Sequence, residues 1–258
     1  MTQSRINALT ASGEKIAMLT CYDASFATLM EQADVDVLLV GDSLGMVLQG
    51  SNDTLDVSMQ DMEYHTRCVA NGADHTPIIA DMPYGSDQDP LHALPNAHRL
   101  MAAGAHMVKL EGAKFDVVEC LVANGIPVCG HLGFTPQSVH ELGGYKVQGR
   151  DEASASQMLK DALALQQAGA SMLVLEMVPA ELAKTLTEAL SIPTIGIGAG
   201  PHCDGQVLVV QDMLGIYPGK TPRFARNFLD GADSVQSALR HYVQAVKDGS
   251  FPTATHSF

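Results

Sequence analysis

Five short apolar runs in this 258-residue chain end in residues able to do chemistry: Val40-Gly41-Asp42-Ser43, Ala80-Asp81, Lys109-Leu110-Glu111, Gly130-His131 and Leu175-Glu176. Asp, Glu and Lys are seldom deeply buried unless paired or bound to a metal, so this repetition is more than packing alone produces. Brought together, Asp42, Asp81 and Glu111 would raise one another's pKa values unless a cation sat between them. Carboxylate oxygens without cysteine favour a hard, octahedral ion, Mg2+ ahead of Mn2+. Such an ion can chelate a 2-oxo acid and stabilise the enolate formed when a base removes the proton beside the carbonyl. Lys109 adds positive charge to the same oxyanion, and Glu176 and His131 are the available proton-transfer groups. Singly, each residue has a plainer reading: helix caps for Asp42, Asp81 and Glu176, an ion pair for Lys109 and Glu111, a loop histidine for His131. Five endings on one rim outweigh those readings.

The elements that must position these residues are legible in the pattern. Eight strand-sized runs recur: Ile16 to Cys21, Val37 to Val40, Pro77 to Ala80, His106 to Leu110, Ile126 to Gly130, Ser171 to Leu175, Ile192 to Ile197 and Val207 to Val210. They are continuously apolar, as strands buried on both faces are. Between them lie helical stretches with clear starts: Asp23 before Ala24 to Ala33, Ser58 with Asp61 as a capping box, Asp89-Pro90, and Pro179. Several helices close on phrases such as Ala103-Gly104-Ala105 and Ala168-Gly169-Ala170, where glycine accepts the left-handed C′ geometry. Eight β-then-α units in about 250 residues predict a (β/α)8 TIM barrel of class α/β; a doubly wound open sheet is the alternative. Barrels carry their chemistry at the C-terminal ends of the strands, where the five endings fall. The stretch from His131 to Arg150 is too long for a plain connection and is a lid candidate. Gly196 to Gly200 reads as a tight turn or a close backbone approach to an organic ligand. Beyond about residue 221 one amphipathic helix, Ser234 to Val246, forms a C-terminal extension to a single barrel domain spanning 1–258, which opens with a short N-terminal arm.

Composition narrows the partners. The chain carries 15 basic and 29 acidic side chains, a formal charge of −14, which argues against nucleic acid and against anionic lipid. No apolar leader region or membrane-length run is visible. The five cysteines contain no CxxC pair, so neither a disulfide framework nor a zinc ribbon fits, and a reduced cytoplasmic protein is the expectation. From Ile16 to Thr66 there is no Lys or Arg, only nine acids. A site there for an anionic substrate needs a local inversion of sign, which a cation on Asp42, Asp81 and Glu111 beside Lys109 would supply.

Longer phrases carry a resemblance. Gly41-Asp42-Ser43-Leu44-Gly45-Met46, Asp81-Met82-Pro83-Tyr84-Gly85-Ser86, Val108-Lys109-Leu110-Glu111-Gly112, Thr135-Pro136-Gln137-Ser138, Gly143-Gly144-Tyr145-Lys146-Val147-Gln148-Gly149 and Ile192 through Gly200 together resemble the ketopantoate hydroxymethyltransferase family. The likeness spans about residues 5 to 230 in chain order; Phe134 and Ala113 are small departures outside the presumed chemistry. It implies a Mg2+-dependent barrel similar to the phosphoenolpyruvate mutase and isocitrate lyase superfamily, commonly a homodecamer. Asp42 and Asp81 would bind the metal, with Glu111 completing its sphere directly or through water. Asp42, Ser43, Asp81 and Lys109 would contact the 2-oxo acid, Glu176 would accept the proton, and His131 would lie near the incoming one-carbon unit. The implied reaction moves a hydroxymethyl group from 5,10-methylenetetrahydrofolate to 3-methyl-2-oxobutanoate, giving 2-dehydropantoate in pantothenate synthesis. Two other classes are the alternatives: a C–C lyase on the same barrel, against which no catalytic cysteine motif follows a strand end here, and a non-catalytic metabolite-binding or assembly protein.

Overall fold

The computed structural model describes residue 8 and residues 11–258; the expected N-terminal arm lies almost wholly outside them. Among the described residues, eight parallel strands close into a barrel in the order β1 to β8. They are β1 (Ile16–Thr20), β2 (Val37–Val40), β3 (Ile78–Asp81), β4 (Met107–Glu111), β5 (Val128–Gly133), β6 (Met172–Glu176), β7 (Thr194–Ile197) and β8 (Gly205–Leu208). All eight expected runs are strands. The eighth starts two residues early, because Val210 already begins a short helix.

The surrounding helices start where side chains can satisfy the free N–H groups of a first turn. In α1 (Ala24–Glu31) the Asp23 carboxylate accepts from the Phe26 N–H. The short α2 (Leu44–Val47) follows β2, and α3 (Met59–Ala70) opens with the Ser58–Asp61 capping box. Asp89 accepts from two backbone N–H groups at the start of α4 (Pro90–Ala102). After α5 (Phe115–Ala123), Asp151 caps α6 (Glu152–Gln167). Pro179 precedes α7 (Ala180–Ala189), and α8 (Val210–Met213) follows β8 directly. Ser234 caps α9 (Val235–Lys247).

Strand residues are buried on both sides of the barrel wall and form the core. The seam between β1 and β8 is held partly by α9. The Tyr242 hydroxyl lies 2.8 Å from the Met18 carbonyl and 2.9 Å from that of Gln206, and its ring packs edge-on against Phe228. The Gly196–Gly200 turn is tight because it approaches the protein's own chain. Gly198 and Gly200 have positive φ, and a Cβ on Gly198 would stand 2.9 Å from Phe224 and 3.1 Å from Phe258.

Candidate active site

Strand register assembles the site. In parallel pairing Asp81 of β3 lies opposite Lys109 of β4, and Glu111 of β4 lies opposite His131 of β5. Lys109 and Glu111, two apart on one strand, share a face. Their side chains, with those of Asp42, Ser43 and Glu176, line one cavity of about 580 Å3 at the C-terminal ends of the strands. The structure therefore brings together all seven residues singled out from the sequence.

Their contacts form a chain across the rim. The Asp42 N–H donates to Asp81 Oδ2 at 3.0 Å, and Lys109 Nζ pairs with Asp81 Oδ1 at 2.9 Å. His131 Nδ1 lies 3.5 Å from Glu111 Oε1 and 3.5 Å from Lys109 Nζ, while His131 Nε2 lies 3.4 Å from Glu176 Oε2. The Ser43 hydroxyl is 2.9 Å from that of Tyr22. His131 sits inside β5, between the two glutamates, because the strand runs on to Gly133. The long connection thus begins at Phe134, three residues later than its glycine-rich sequence implied, and Phe134 and Gln137 within it are buried.

Glu176 is pinned by its backbone. Its carbonyl accepts from the Phe134 N–H at 2.8 Å, an approach that only a glycine at 133 permits, since a Cβ there would stand 2.2 Å from that oxygen. Met177, the next residue, has φ +47. A non-glycine residue held in that region is strained, a cost found where geometry serves function.

Charge dominates the chemistry. Asp42, Asp81, Glu111 and Glu176 face a single ammonium in a buried space. Burial raises Asp42 well above the usual carboxylate range, and Asp81 and Glu111 push it further. Burial lifts Glu111 to about 7 against the pull of Lys109 and the Gln137 N–H. Burial likewise raises Glu176, with His131 opposing, and lowers His131, with Lys109 adding to the effect. Burial would lower Lys109 too, but Asp81, Glu111 and Asp42 outweigh it and keep the ammonium charged. Glu111 Oε1 and His131 Nε2 are buried without a hydrogen-bond partner.

A surplus of hard oxygen donors, one of them orphaned, fits an oxygen-seeking divalent cation in charge and chemistry. Among the described residues, however, no three His, Cys, Asp or Glu side chains are already arranged as a metal site. Lys109 engages Asp81, and Gln137 Nε2 donates to Asp42 Oδ2 at 2.8 Å. Gln137 also donates from Nε2 to the Met82 carbonyl and from its backbone N–H to Glu111 Oε2, each at 3.0 Å. In the sequence Gln137 stands within the phrase Thr135-Pro136-Gln137-Ser138, which gives no sign of a role in the site. The position after Pro136, inside a connection rather than at a strand end, hid it.

The family model described as ketopantoate hydroxymethyltransferase matches residues 1–254. A 3-methyl-2-oxobutanoate hydroxymethyltransferase from Methylobacillus flagellatus is 64% identical over 249 residues, covering 95% of each chain. One from Thiobacillus denitrificans is 62% identical, covering 100% of this chain and 99% of that one. Among solved structures, a phosphonopyruvate hydrolase in complex with oxalate and Mg2+ superposes with a TM-score of 0.65 at 14% identity, covering 99% and 93%. A 2,3-dimethylmalate lyase of the phosphoenolpyruvate mutase and isocitrate lyase superfamily gives 0.59 at 17%, covering 80% of each chain. At such identities the likeness is one of fold.

Proposed function

The chain belongs to the ketopantoate hydroxymethyltransferase family, and from that premise we propose that the charged rim removes a proton from C3 of 3-methyl-2-oxobutanoate and presents the resulting enolate to 5,10-methylenetetrahydrofolate. Transfer of a hydroxymethyl group to that 2-oxo acid, the first step of pantothenate biosynthesis, is the activity of the family. The observation that carries the mechanism is the surplus of negative charge on the β2–β6 rim of the cavity, where the four carboxylates of Asp42, Asp81, Glu111 and Glu176 stand against the one ammonium of Lys109.

Asp42, Asp81 and Glu111 would hold one Mg2+, which when bound supplies positive charge to the substrate's carboxylate and keto oxygens. Lys109 adds a fixed charge beside them. Glu176 takes the C3 proton; burial raises its basicity toward the operating pH, which suits a general base. His131, 3.4 Å from Glu176, orients that carboxylate and faces the one-carbon unit. Ser43 binds the 2-oxo acid beside Asp42. The site accepts small molecules, and among the described residues no helix is long and apolar enough to cross a membrane. A homodecamer in the cytoplasm completes the reading, in keeping with five unpaired cysteines.

The test is loss of the C3 proton to deuterated water without folate, followed by product formation when methylenetetrahydrofolate is added. Glu176→Gln should slow the exchange by about 10²–10⁴-fold while Mg2+ still binds. Asp81→Ala should lose Mg2+ binding. Exchange in Glu176→Gln at the unmodified rate would refute the assignment of the base.

A further inference from the structure

The charged cluster occupies β2 to β6, but the cavity continues over the arc of β7, β8 and β1. That arc presents Ile197, Val207, Leu208 and Thr20, none of them ionisable. Its exception is Asp212, in α8 immediately beyond β8, which lines the cavity and is 7% exposed. The helix that carries it is tied to β1 by the Val210 N–H, which donates to Thr20 Oγ1 at 2.9 Å. Asp212 Oδ1 is buried without a hydrogen-bond partner, and burial alone, with no cation in opposition, pushes the carboxyl up to about 6. Burying a carboxylate without a partner is destabilising, so such a group calls for an explanation.

At the outer mouth the sign reverses. Lys220 and Arg223 line the same cavity. Among the described residues Lys220 has no ion pair or hydrogen bond, and Arg223 donates to the Thr255 carbonyl at 3.1 Å and stands 5.3 Å over the Phe258 ring. A small 2-oxo acid fills only a fraction of about 580 Å3. The rest of the lining is apolar along β7, β8 and β1, with one buried carboxylate, Asp212, and two exposed cations, Lys220 and Arg223.

We propose that this arc seats the pteridine of the one-carbon donor, with Asp212 accepting from its N3–H and 2-amino groups and Lys220 and Arg223 meeting its anionic tail. The inference rests on the folate reading above. A pteridine has a flat face for the apolar walls and an edge with two adjacent N–H donors, the complement of a carboxylate's two acceptor oxygens. Its tail ends in carboxylates, which an acidic protein can receive only where unneutralised cations stand.

Equilibrium binding of tetrahydrofolate and of its 2-desamino-2-methyl analogue tests this in the unmodified protein, in Asp212→Asn and in Lys220→Ala. The unmodified protein should prefer tetrahydrofolate by about 10–100-fold, the range of a lost charge-assisted hydrogen bond. Asp212→Asn should reduce that preference below about threefold. Lys220→Ala should keep it, while losing about fivefold in affinity for a polyglutamylated tail, the loss reported by added salt. Equal preference in the unmodified protein and Asp212→Asn would overturn the proposal. Should that variant not fold, indifference of the unmodified protein to the 2-amino group overturns it instead. Absence of any tetrahydrofolate binding, with C3 proton exchange intact, would remove the folate reading itself.

Discussion

Replacing Glu111 by Gln should stabilise the metal-free protein above neutral pH while weakening its hold on Mg2+. Glu111 is 5% exposed and shares its space with Asp42, Asp81 and Glu176 against the single ammonium of Lys109. Its Oε2 accepts from the Gln137 N–H at 3.0 Å, a bond that a glutamine carbonyl can keep, whereas its Oε1 has no hydrogen-bond partner. The folded carboxyl titrates at about 7, against 4.5 for a free side chain. A folded pKa raised above the unfolded one contributes its stability below about pH 4.5 and loses it as pH climbs through 7. A gap of that size corresponds to at most about 3 kcal/mol of strain above pH 7. Lys109 loses one carboxylate neighbour in the variant and the amide must still be desolvated, so a net gain of about 1–3 kcal/mol is expected. In a chain of this length that raises the melting midpoint by about 2–10 °C. Thermal and urea unfolding of chelator-treated protein at pH 5 and pH 8 measures it, and added Mg2+ should then stabilise the unmodified protein more than the variant. A variant less stable than the unmodified protein at pH 8, or gaining equally at pH 5, would refute the charge argument.

Two further predictions concern the scaffold. Glu31, at the end of α1, accepts from the N–H groups of Asp74, His75 and Thr76 at 3.2, 2.8 and 2.7 Å. Burial opposes them, but these donors and the Thr76 hydroxyl hold its carboxyl at about 2. A depressed pKa stabilises above about pH 4.5 and is lost as pH falls toward 2, so Glu31→Gln should cost about 1 kcal/mol at pH 7, after solvent screening at this half-buried site. Its urea midpoint should fall less steeply with acid than that of the unmodified protein; an identical slope would count against the assignment. Tyr242→Phe leaves the Met18 and Gln206 carbonyls without their shared hydroxyl and should cost about 1–3 kcal/mol, read from the same melts at any pH between 5 and 8. No loss would mean that the hydroxyl does not help to hold the β1–β8 seam.

Much of the molecule is legible in the sequence alone. Continuous apolar runs mark strands buried on both faces, and Asp23, Ser58 with Asp61, Asp89 and Pro179 mark helix starts, because both signals act over a few residues. The chemistry was legible for the same reason: Asp42, Asp81, Lys109, Glu111, His131 and Glu176 occur where apolar runs end, and barrel strands end on one rim. What stayed hidden depends on contacts made across the closed barrel. Gln137 meets Asp42 over a separation of 95 residues, and nothing local to either foretells the bond. The register that sets Asp81 against Lys109 and Glu111 against His131 belongs to pairs of strands. Asp212 is an ordinary helix residue in the sequence; its isolation on an apolar arc exists only once β8 closes against β1. The glycines from 196 to 200 fitted a ligand or a turn equally well until Phe224 and Phe258 were packed against Gly198. Short-range chemistry selects the elements and the residue types at their ends, whereas the barrel's closure determines which of those ends share a cavity and which charge is left without a partner.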